Sequence, residues 1–97
     1  MKIDIQAPFP VFEHIQTLIE EKVNKMSTFY DQILGAKVYL KDDVNPLRHK
    51  PSRVAEIQLD VPGVTLFAEA TEETFEQAIA SAAEKVKKQI LKHKEKL

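Results

Sequence analysis

The most informative absences in this 97-residue sequence are those of cysteine and glycine. There is no cysteine, which excludes a disulfide framework, a thiolate nucleophile and a sulfur-ligated metal site. Only two glycines are present, and neither lies in a phosphate-binding loop. No apolar run is long enough to span a membrane, and the N-terminus, MKIDIQAPF, lacks the apolar stretch of a signal peptide. We therefore predict a cytoplasmic protein with no membrane partner.

Residues suited to catalysis are also scarce. The three histidines are scattered without metal-ligand spacing, and no Gly-x-Ser-x-Gly nucleophile motif occurs. Adjacent acids occur at residues 20–21, 42–43 and 72–73, but on an acid-rich surface such pairs are usually solvated charge. We predict no enzyme, no cofactor, no metal and no small-molecule substrate. An enzyme, as an open alternative, would have to use Asp42, Asp43 and His49 of one polar loop.

Alternation of apolar and polar residues is the main strand signal in this chain. It predicts four strands, at Lys2–Gln6, Ala36–Lys41, Arg53–Val61 and Val64–Ala70. Proline and polar residues predict a loop over Asp42–Ser52, and Pro62-Gly63 predicts a tight turn. Each strand has one apolar face, so the sheet is expected to have one buried and one solvated side.

Two segments have the helical period instead. Apolar residues at steps of three and four predict a first helix from Val11 to about Tyr30, with Gly35 ending it, and a second from Thr71 to Leu97, capped by Thr71. The resulting order is β-α-β-β-β-α, an α+β fold. A right-handed crossover makes the first two strands parallel, the last three form an antiparallel meander, and both helices cover one face of the four-stranded sheet. We predict a single domain over residues 1–97.

The closing helix concentrates positive charge. Residues 85–97 contain six lysines and one glutamate, although the whole chain has a net charge of −1. On a helical wheel, four of these lysines form one stripe without an acid in it, and we call this stripe the lysine ridge. Its members are Lys85, Lys88, Lys92 and Lys96. Cations near a helix C-terminus are matched to the helix dipole, which explains the excess of lysine but not its segregation. The pattern leaves two interpretations open, a solvated helix end and a phosphate-binding surface.

Other residues bear on the same question. Lys22 and Lys25 form a second basic flank on the first helix, and sequence does not determine whether it joins the ridge. Tyr39 and Phe67 lie on the outer sheet face, where aromatics can stack bases, pack as half-buried strand residues or form a dimer contact. His93 lies on the buried stripe of the second helix, so we predict that it is packed rather than a ligand.

The segment EKVKKQILKHKEKL, residues 84–97, resembles the end of the short ribosome hibernation promoting factors. That family includes ribosome-associated translation inhibitors, also labelled sigma-54 modulation proteins, and its members share a basic-Gln-apolar-x-Lys-His-Lys pattern after an Ala-Ile step. The chain length and the β-α-β-β-β-α order match as well. This sequence departs from the family where Asp-x-Tyr-x-Ala-Ile-Asp is common, because it has TFEQAIA at residues 74–80.

The resemblance implies a fold like a double-stranded RNA-binding domain with an extra strand. It also implies a ribosome-binding protein that contacts the small ribosomal subunit and its rRNA and silences idle ribosomes. Since the sequence ends at Leu97, the resemblance is to members without the C-terminal dimerisation domain of the long forms. Carried onto this chain, the RNA-binding residues would be Lys22, Lys25, Lys85, Lys88, Lys92 and Lys96. The alternative is a protein-interaction module that regulates another factor, such as a sigma factor.

Overall fold

The predicted order of elements is confirmed in the computed structural model, which describes residues 2–43 and 52–95. The elements are β1 (Lys2–Gln6), α1 (Glu13–Met26), β2 (Gly35–Asp43), β3 (Ser52–Val61), β4 (Val64–Glu72) and α2 (Phe75–Glu95). The strands form one sheet in the order β1-β2-β3-β4, with β1 parallel to β2 and the other neighbours antiparallel. The predicted α+β fold is therefore confirmed, including the parallel pair and the meander.

One face of the sheet carries the core. Val38 of β2 and Ile57 of β3 are at most 1% exposed, and so are Ile19 of α1 and Ile79 and Val86 of α2. These residues belong to a single apolar cluster, so both helices pack on the same side of the sheet. The alternation in the strands and the period in the helices thus point their apolar residues at a common core.

The first helix is shorter than predicted at both ends. It begins at Glu13 with Phe12 as the N-cap residue, and it ends at Met26 rather than near Tyr30. Just beyond that end, the hydroxyls of Ser27 and Thr28 donate to carbonyl oxygens three residues earlier, each at 2.6 Å. Hydroxyl side chains that bond the backbone in this way compete with helix continuation, which explains the early end.

Two predictions about helix ends are wrong. Gly35 does not end a helix, because it is the first residue of β2 and pairs with Lys2. Thr71 does not cap α2, because β4 continues through it. Thr74 is the cap: its Oγ1 accepts a hydrogen bond from the backbone N–H of Gln77 at 3.2 Å. A hydroxyl placed three residues before an amide of the first turn is the usual N-cap geometry.

The meander confirms the predicted turn and corrects two neighbouring details. Gly63 has φ 87°, a left-handed conformation that side-chain-bearing residues rarely adopt. Val64, which the alternation of its strand places on the apolar face, is nevertheless 44% exposed because it directly follows the turn, where the strand end has fewer neighbours. The predicted loop over Asp42–Ser52 is shorter than expected, since β2 and β3 extend into it at both ends. Residues 44–51, with His49, lie outside the described residues.

Candidate nucleic-acid interface

The lysine ridge lies on the side of α2 that faces the free edge of β4. The Nζ of Lys85 donates a hydrogen bond to the backbone carbonyl oxygen of Glu69 in β4 at 3.0 Å. One turn further along the helix, Gln89 bonds the same strand at Phe67. Because Gln89 lies beside the ridge on the helical wheel, these bonds fix which way the ridge points. Sequence alone placed the lysines on one stripe but not beside a particular strand.

Gln89 contacts the edge strand with both ends of its amide. Its Oε1 accepts a hydrogen bond from the backbone N–H of Phe67 at 3.1 Å, and its Nε2 donates to the carbonyl oxygen of the same residue. An edge strand otherwise presents unpaired backbone groups that invite another strand to add. Gln89 and Lys85 therefore occupy three of the outward-facing polar groups of β4. The only sequence signal for this role of Gln89 was that its amide side chain lies between the buried stripe of the helix and the lysine ridge.

Replacing Gln89 with leucine should weaken the joint between α2 and β4. Each hydrogen bond contributes on the order of 1 kcal/mol net, so we expect the free energy of unfolding to fall by about 1–2 kcal/mol. Chemical denaturation measures this loss. Amide hydrogen exchange at Phe67 should accelerate at the same time, because its N–H would lose its partner in the folded protein.

Gln77→Leu is the matched control for this prediction. Gln77 is exposed on the same helix, and its side chain has no partner among residues 2–43 and 52–95. We expect the free energy of unfolding of this variant to lie within about 0.5 kcal/mol of that of the original protein. Equal losses of unfolding free energy in the two variants, or an unchanged amide hydrogen exchange rate at Phe67 in Gln89→Leu, would contradict the proposed contact between α2 and β4.

Two members of the ridge present free charge. Lys88 and Lys92 are exposed, and neither has a hydrogen-bond or ion-pair partner within the described part of the chain. Lys85 is also exposed although its ammonium is bonded to the strand. Lys96 lies outside the described residues. The described ridge therefore consists of one anchored and two unpaired ammonium groups along the edge of the sheet.

The basic flank of α1 does not join the ridge. Lys22 and Lys25 line a shallow groove between the two helices together with Glu84 and Lys87. Lys87 points back over the ring of Phe29, with its Nζ 4.7 Å from the ring centroid. On the helical wheel, Lys87 lies on the flank of α2 opposite the ridge. The structure thus answers the question that sequence left open and places two basic surfaces on opposite sides of α2.

Next to the ridge, the outer sheet face carries a pair of carboxylates. Glu56 of β3 lies directly opposite Glu69 of β4, and Lys41 of β2 pairs with Glu56 at 3.6 Å. A hydrogen bond with the Glu56 side chain, partial burial and the charge of Glu56 raise the pKa of Glu69 above its ordinary value of 4.5. Like charges directly opposite each other on neighbouring strands are destabilising. The edge beside the ridge is therefore acidic on its sheet side.

Replacing Glu69 with glutamine should stabilise the protein slightly at neutral pH. Because the folded state raises the pKa of Glu69, it binds this proton more tightly than the unfolded state does. The carboxylate pair therefore lowers the free energy of unfolding least below pH 4.5. Its destabilising effect grows as the pH rises through the raised pKa that Glu69 has in the folded protein. Thermal unfolding of both proteins from pH 4 to pH 8 should show a gain for the variant that grows with pH. A gain that shrinks with rising pH would contradict this assignment.

The family described as Sigma 54 modulation protein / S30EA ribosomal protein matches residues 4–97. The chain belongs to this family. The resemblance inferred from residues 84–97 is thus confirmed.

Relatives and solved structures agree with the family. The chain is 31% identical over 86 residues to proteins named ribosome hibernation promoting factor in Azotobacter vinelandii and in Pseudomonas putida. The aligned region covers 89% of this chain, and 75% and 78% of those proteins. A ribosomal subunit interface protein from Coxiella burnetii superposes with a TM-score of 0.82 at 19% identity, covering 97% of this chain and 98% of that one. The N-terminal domain of Thermus thermophilus Protein Y superposes with a TM-score of 0.75 at 24% identity, covering 95% and 94%. These two structures confirm the fold.

The S30EA family is a family of ribosome-associated factors and is not known for enzymes. Of the residues that the enzyme alternative would use, Asp42 has a partner, because Arg53 Nη1 bonds its Oδ1 at 2.9 Å. This ion pair lies in the wall of an apolar groove of about 450 Å³, beside Phe12 and Phe75. His49 falls outside the described residues. Within residues 2–43 and 52–95 no three His, Asp or Glu side chains are grouped to hold a metal ion.

His93 is packed, as its position on the stripe predicted. Its ring meets the ring of Tyr30 edge-on, with the centroids 5.6 Å apart. Its Nε2 is buried without a hydrogen-bond partner in the described part of the protein. Separately, no helix among the described residues is both long and apolar enough to cross a membrane.

Proposed function

We propose that this protein binds the small ribosomal subunit and inhibits translation by idle ribosomes, as a cytoplasmic hibernation factor without enzymatic activity. The relatives at 31% identity carry the name ribosome hibernation promoting factor, and the matching family includes ribosomal proteins of the S30EA type. The fold neighbour from Coxiella burnetii is named a ribosomal subunit interface protein. These names support ribosome association, and the charges on α2 support rRNA as the surface contacted.

The observation that carries the proposal is the pair of exposed ammonium groups of Lys88 and Lys92, which have no partner among the described residues. A chain with a net charge of −1 is not attracted to RNA as a whole, so its binding must come from local charge. Lys85, anchored on the carbonyl oxygen of Glu69, adds a third cation in a fixed position. Ammonium groups contact phosphates without reading bases, so the ridge would recognise the shape and backbone of the rRNA.

The other predicted RNA-binding residues, Lys96, Lys22 and Lys25, would contact the rRNA at different places. Lys96 would extend the ridge by one more turn. Lys22 and Lys25 lie on the other flank of α2, so they would contact a second stretch of rRNA rather than the same one. In this arrangement α2 lies between two phosphate backbones.

Sedimentation of the purified protein with purified ribosomal subunits tests the proposal. We expect it to cosediment with the small subunit and to dissociate as salt rises, because each phosphate contact releases counterions. The three described ridge lysines alone predict that the logarithm of the association constant falls with a slope near −3 against the logarithm of salt concentration, and contacts at Lys22, Lys25 and Lys96 would make the slope steeper. The same protein should lower the yield of a cell-free translation reaction. No sedimentation with small subunits at 50 mM salt would overturn the proposal.

The alternative of a protein-interaction module is not favoured by the comparisons. The family description retains the words Sigma 54 modulation protein, but the relatives are named for ribosome hibernation. The acidic composition of the residues outside the basic closing segment, together with the sigma-factor label, motivates this alternative. It would predict a stoichiometric protein partner that survives nuclease treatment, together with no ribosome sedimentation.

A further inference from the structure

The edge strand that borders the ridge carries an exposed aromatic side chain on its outer face. Phe67 is 48% exposed, and it points to the outer face of β4 because its neighbours Leu66 and Ala68 point into the core. Its backbone is the group that Gln89 holds. The backbone of Phe67 therefore lies beside Gln89, which falls between Lys85 and Lys92 in α2, and its ring lies on the face of the sheet opposite α2.

The charges around this ring are polarised. On the helix side of the edge lie Lys85, Lys88 and Lys92, without an acid in the stripe. On the sheet side, two residues along the strand, lies the Glu56–Glu69 carboxylate pair. A polyanion crossing this region would keep its phosphates nearest the three lysines of the helix side, because on the sheet side Glu69 opposes phosphate and Lys41 only offsets the charge of Glu56. An uncharged base is then the part of the polyanion that best fits over the apolar ring of Phe67.

Strand addition does not explain the exposed ring. The N–H and carbonyl oxygen of Phe67 and the carbonyl oxygen of Glu69 are already bonded by Gln89 and Lys85. A partner strand would have to break these bonds before it could pair with β4. What remains available is the face of the ring itself, on the outer side of the strand whose edge borders the lysine ridge.

We propose that Phe67 stacks on an unpaired nucleobase of RNA whose phosphates lie on the lysine ridge. This inference rests on the proposed function and adds the kind of RNA: a single-stranded or extruded nucleotide at the β4 edge rather than a continuous duplex. Stacking on an aromatic ring is tolerant of base identity, since every base has a π-face. The ridge then supplies salt-dependent attraction, and Phe67 supplies a contact that does not depend on salt.

The chain contains no tryptophan, which allows a direct test of stacking. In Phe67→Trp the new side chain is the only tryptophan, and a base stacked on it should quench its fluorescence. The probe is a single-stranded twelve-nucleotide oligoadenylate, with the matching RNA duplex as comparison. We expect quenching by the single strand at low salt, reversal at high salt and weaker quenching by the duplex.

Leu34→Trp is the matched control. Leu34 is 66% exposed beside β1 and β2, away from the β4 edge, so its tryptophan should not respond to the oligonucleotide. Quenching of equal size in both variants would show nonspecific collision and overturn the inference. Absence of quenching in Phe67→Trp, while anisotropy of a labelled oligonucleotide reports binding, would overturn it as well.

Ribosome binding separates this inference from the proposed function. Phe67→Leu keeps an apolar side chain but removes the ring, and we expect small-subunit affinity to fall roughly five- to a hundredfold with an unchanged salt slope. Phe67→Tyr, which keeps the ring, should bind like the original protein. Equal binding by Phe67→Leu overturns the inference alone. If even the original protein does not bind small subunits, the proposed function fails, and the tryptophan measurement alone decides the inference.

Discussion

Reversal of Lys88 and Lys92 to glutamate is expected to abolish small-subunit binding while leaving the fold intact. Each lysine provides a charge-assisted contact worth about 1.5–3 kcal/mol, so losing both should weaken binding on the order of a hundredfold or more. Neither side chain has a partner among the described residues, so the reversal breaks no internal contact there. Sedimentation with small subunits over a salt series measures the loss. Any residual binding should depend less steeply on salt, by about two units of slope.

Lys85 is deliberately left unchanged in this variant, because its bond to Glu69 would confuse a loss of charge with a loss of structure. The matched control is Lys2→Glu combined with Lys37→Glu. It changes the net charge equally but on the outer sheet face, on β1 and β2, the two strands furthest from the β4 edge. If both double variants lose binding to the same extent, total charge rather than the ridge would govern binding. If Lys88 and Lys92 can be reversed without effect, the ridge assignment is wrong.

The strands and the topology were predictable because burial imposes a two-residue period on them. Leu59, for example, pairs with Leu66 and is fully buried, as its place in the alternation requires. The parallel pairing of β1 with β2 followed from the intervening helix, since a crossover connection joins parallel strands. These features rest on many residues at once, so one atypical residue does not alter them.

Features that depend on a single side chain were harder to predict. Two threonines precede α2, and sequence gave no reason to prefer Thr74 over Thr71, because the end of β4 decides which of them begins the helix. The left-handed conformation that Gly63 needs and the extended one of Gly35 cannot be told apart by residue type. Gly63 was placed correctly because Pro62 precedes it.

The candidate interface was predictable as a stripe but not as a surface. Helical periodicity put Lys85, Lys88 and Lys92 together, yet it could not say that β4 runs beside them. That information resides in the hydrogen bonds of Gln89 with Phe67, which join residues 22 positions apart. The same packing sends Lys22 and Lys25 to the opposite flank, since α1 contacts the other side of α2. Long-range placement of this kind depends on the tertiary structure.

Replacing Ile79 with alanine should lower the stability of the protein and leave small-subunit binding intact, whereas reversal of Lys88 and Lys92 should do the opposite. Ile79 is completely buried in the cluster that joins α2 to the sheet, so truncation removes apolar contacts and leaves a cavity. Such a change costs roughly 2–5 kcal/mol in a domain whose total stability is of the order of 5–15 kcal/mol. Differential scanning calorimetry should therefore show Tm lowered by about 10 °C or more.

Leu91→Ala is the control for this second prediction, because Leu91 lies on the same helix but is 40% exposed and should lose much less stability. Ile79 lies about two and a half turns before Lys88 and about three and a half turns before Lys92. The folded fraction of Ile79→Ala should therefore still bind small subunits with normal salt dependence when measured well below its Tm. If the Lys88 and Lys92 reversal loses binding but not stability, and Ile79→Ala loses stability but not binding, the charge of α2 acts independently of its packing in the core. If Ile79→Ala were as stable as Leu91→Ala, the packing of α2 would be wrong. If the folded Ile79→Ala protein bound as weakly as the ridge variant, binding would depend on the core of α2 and not on its lysines alone.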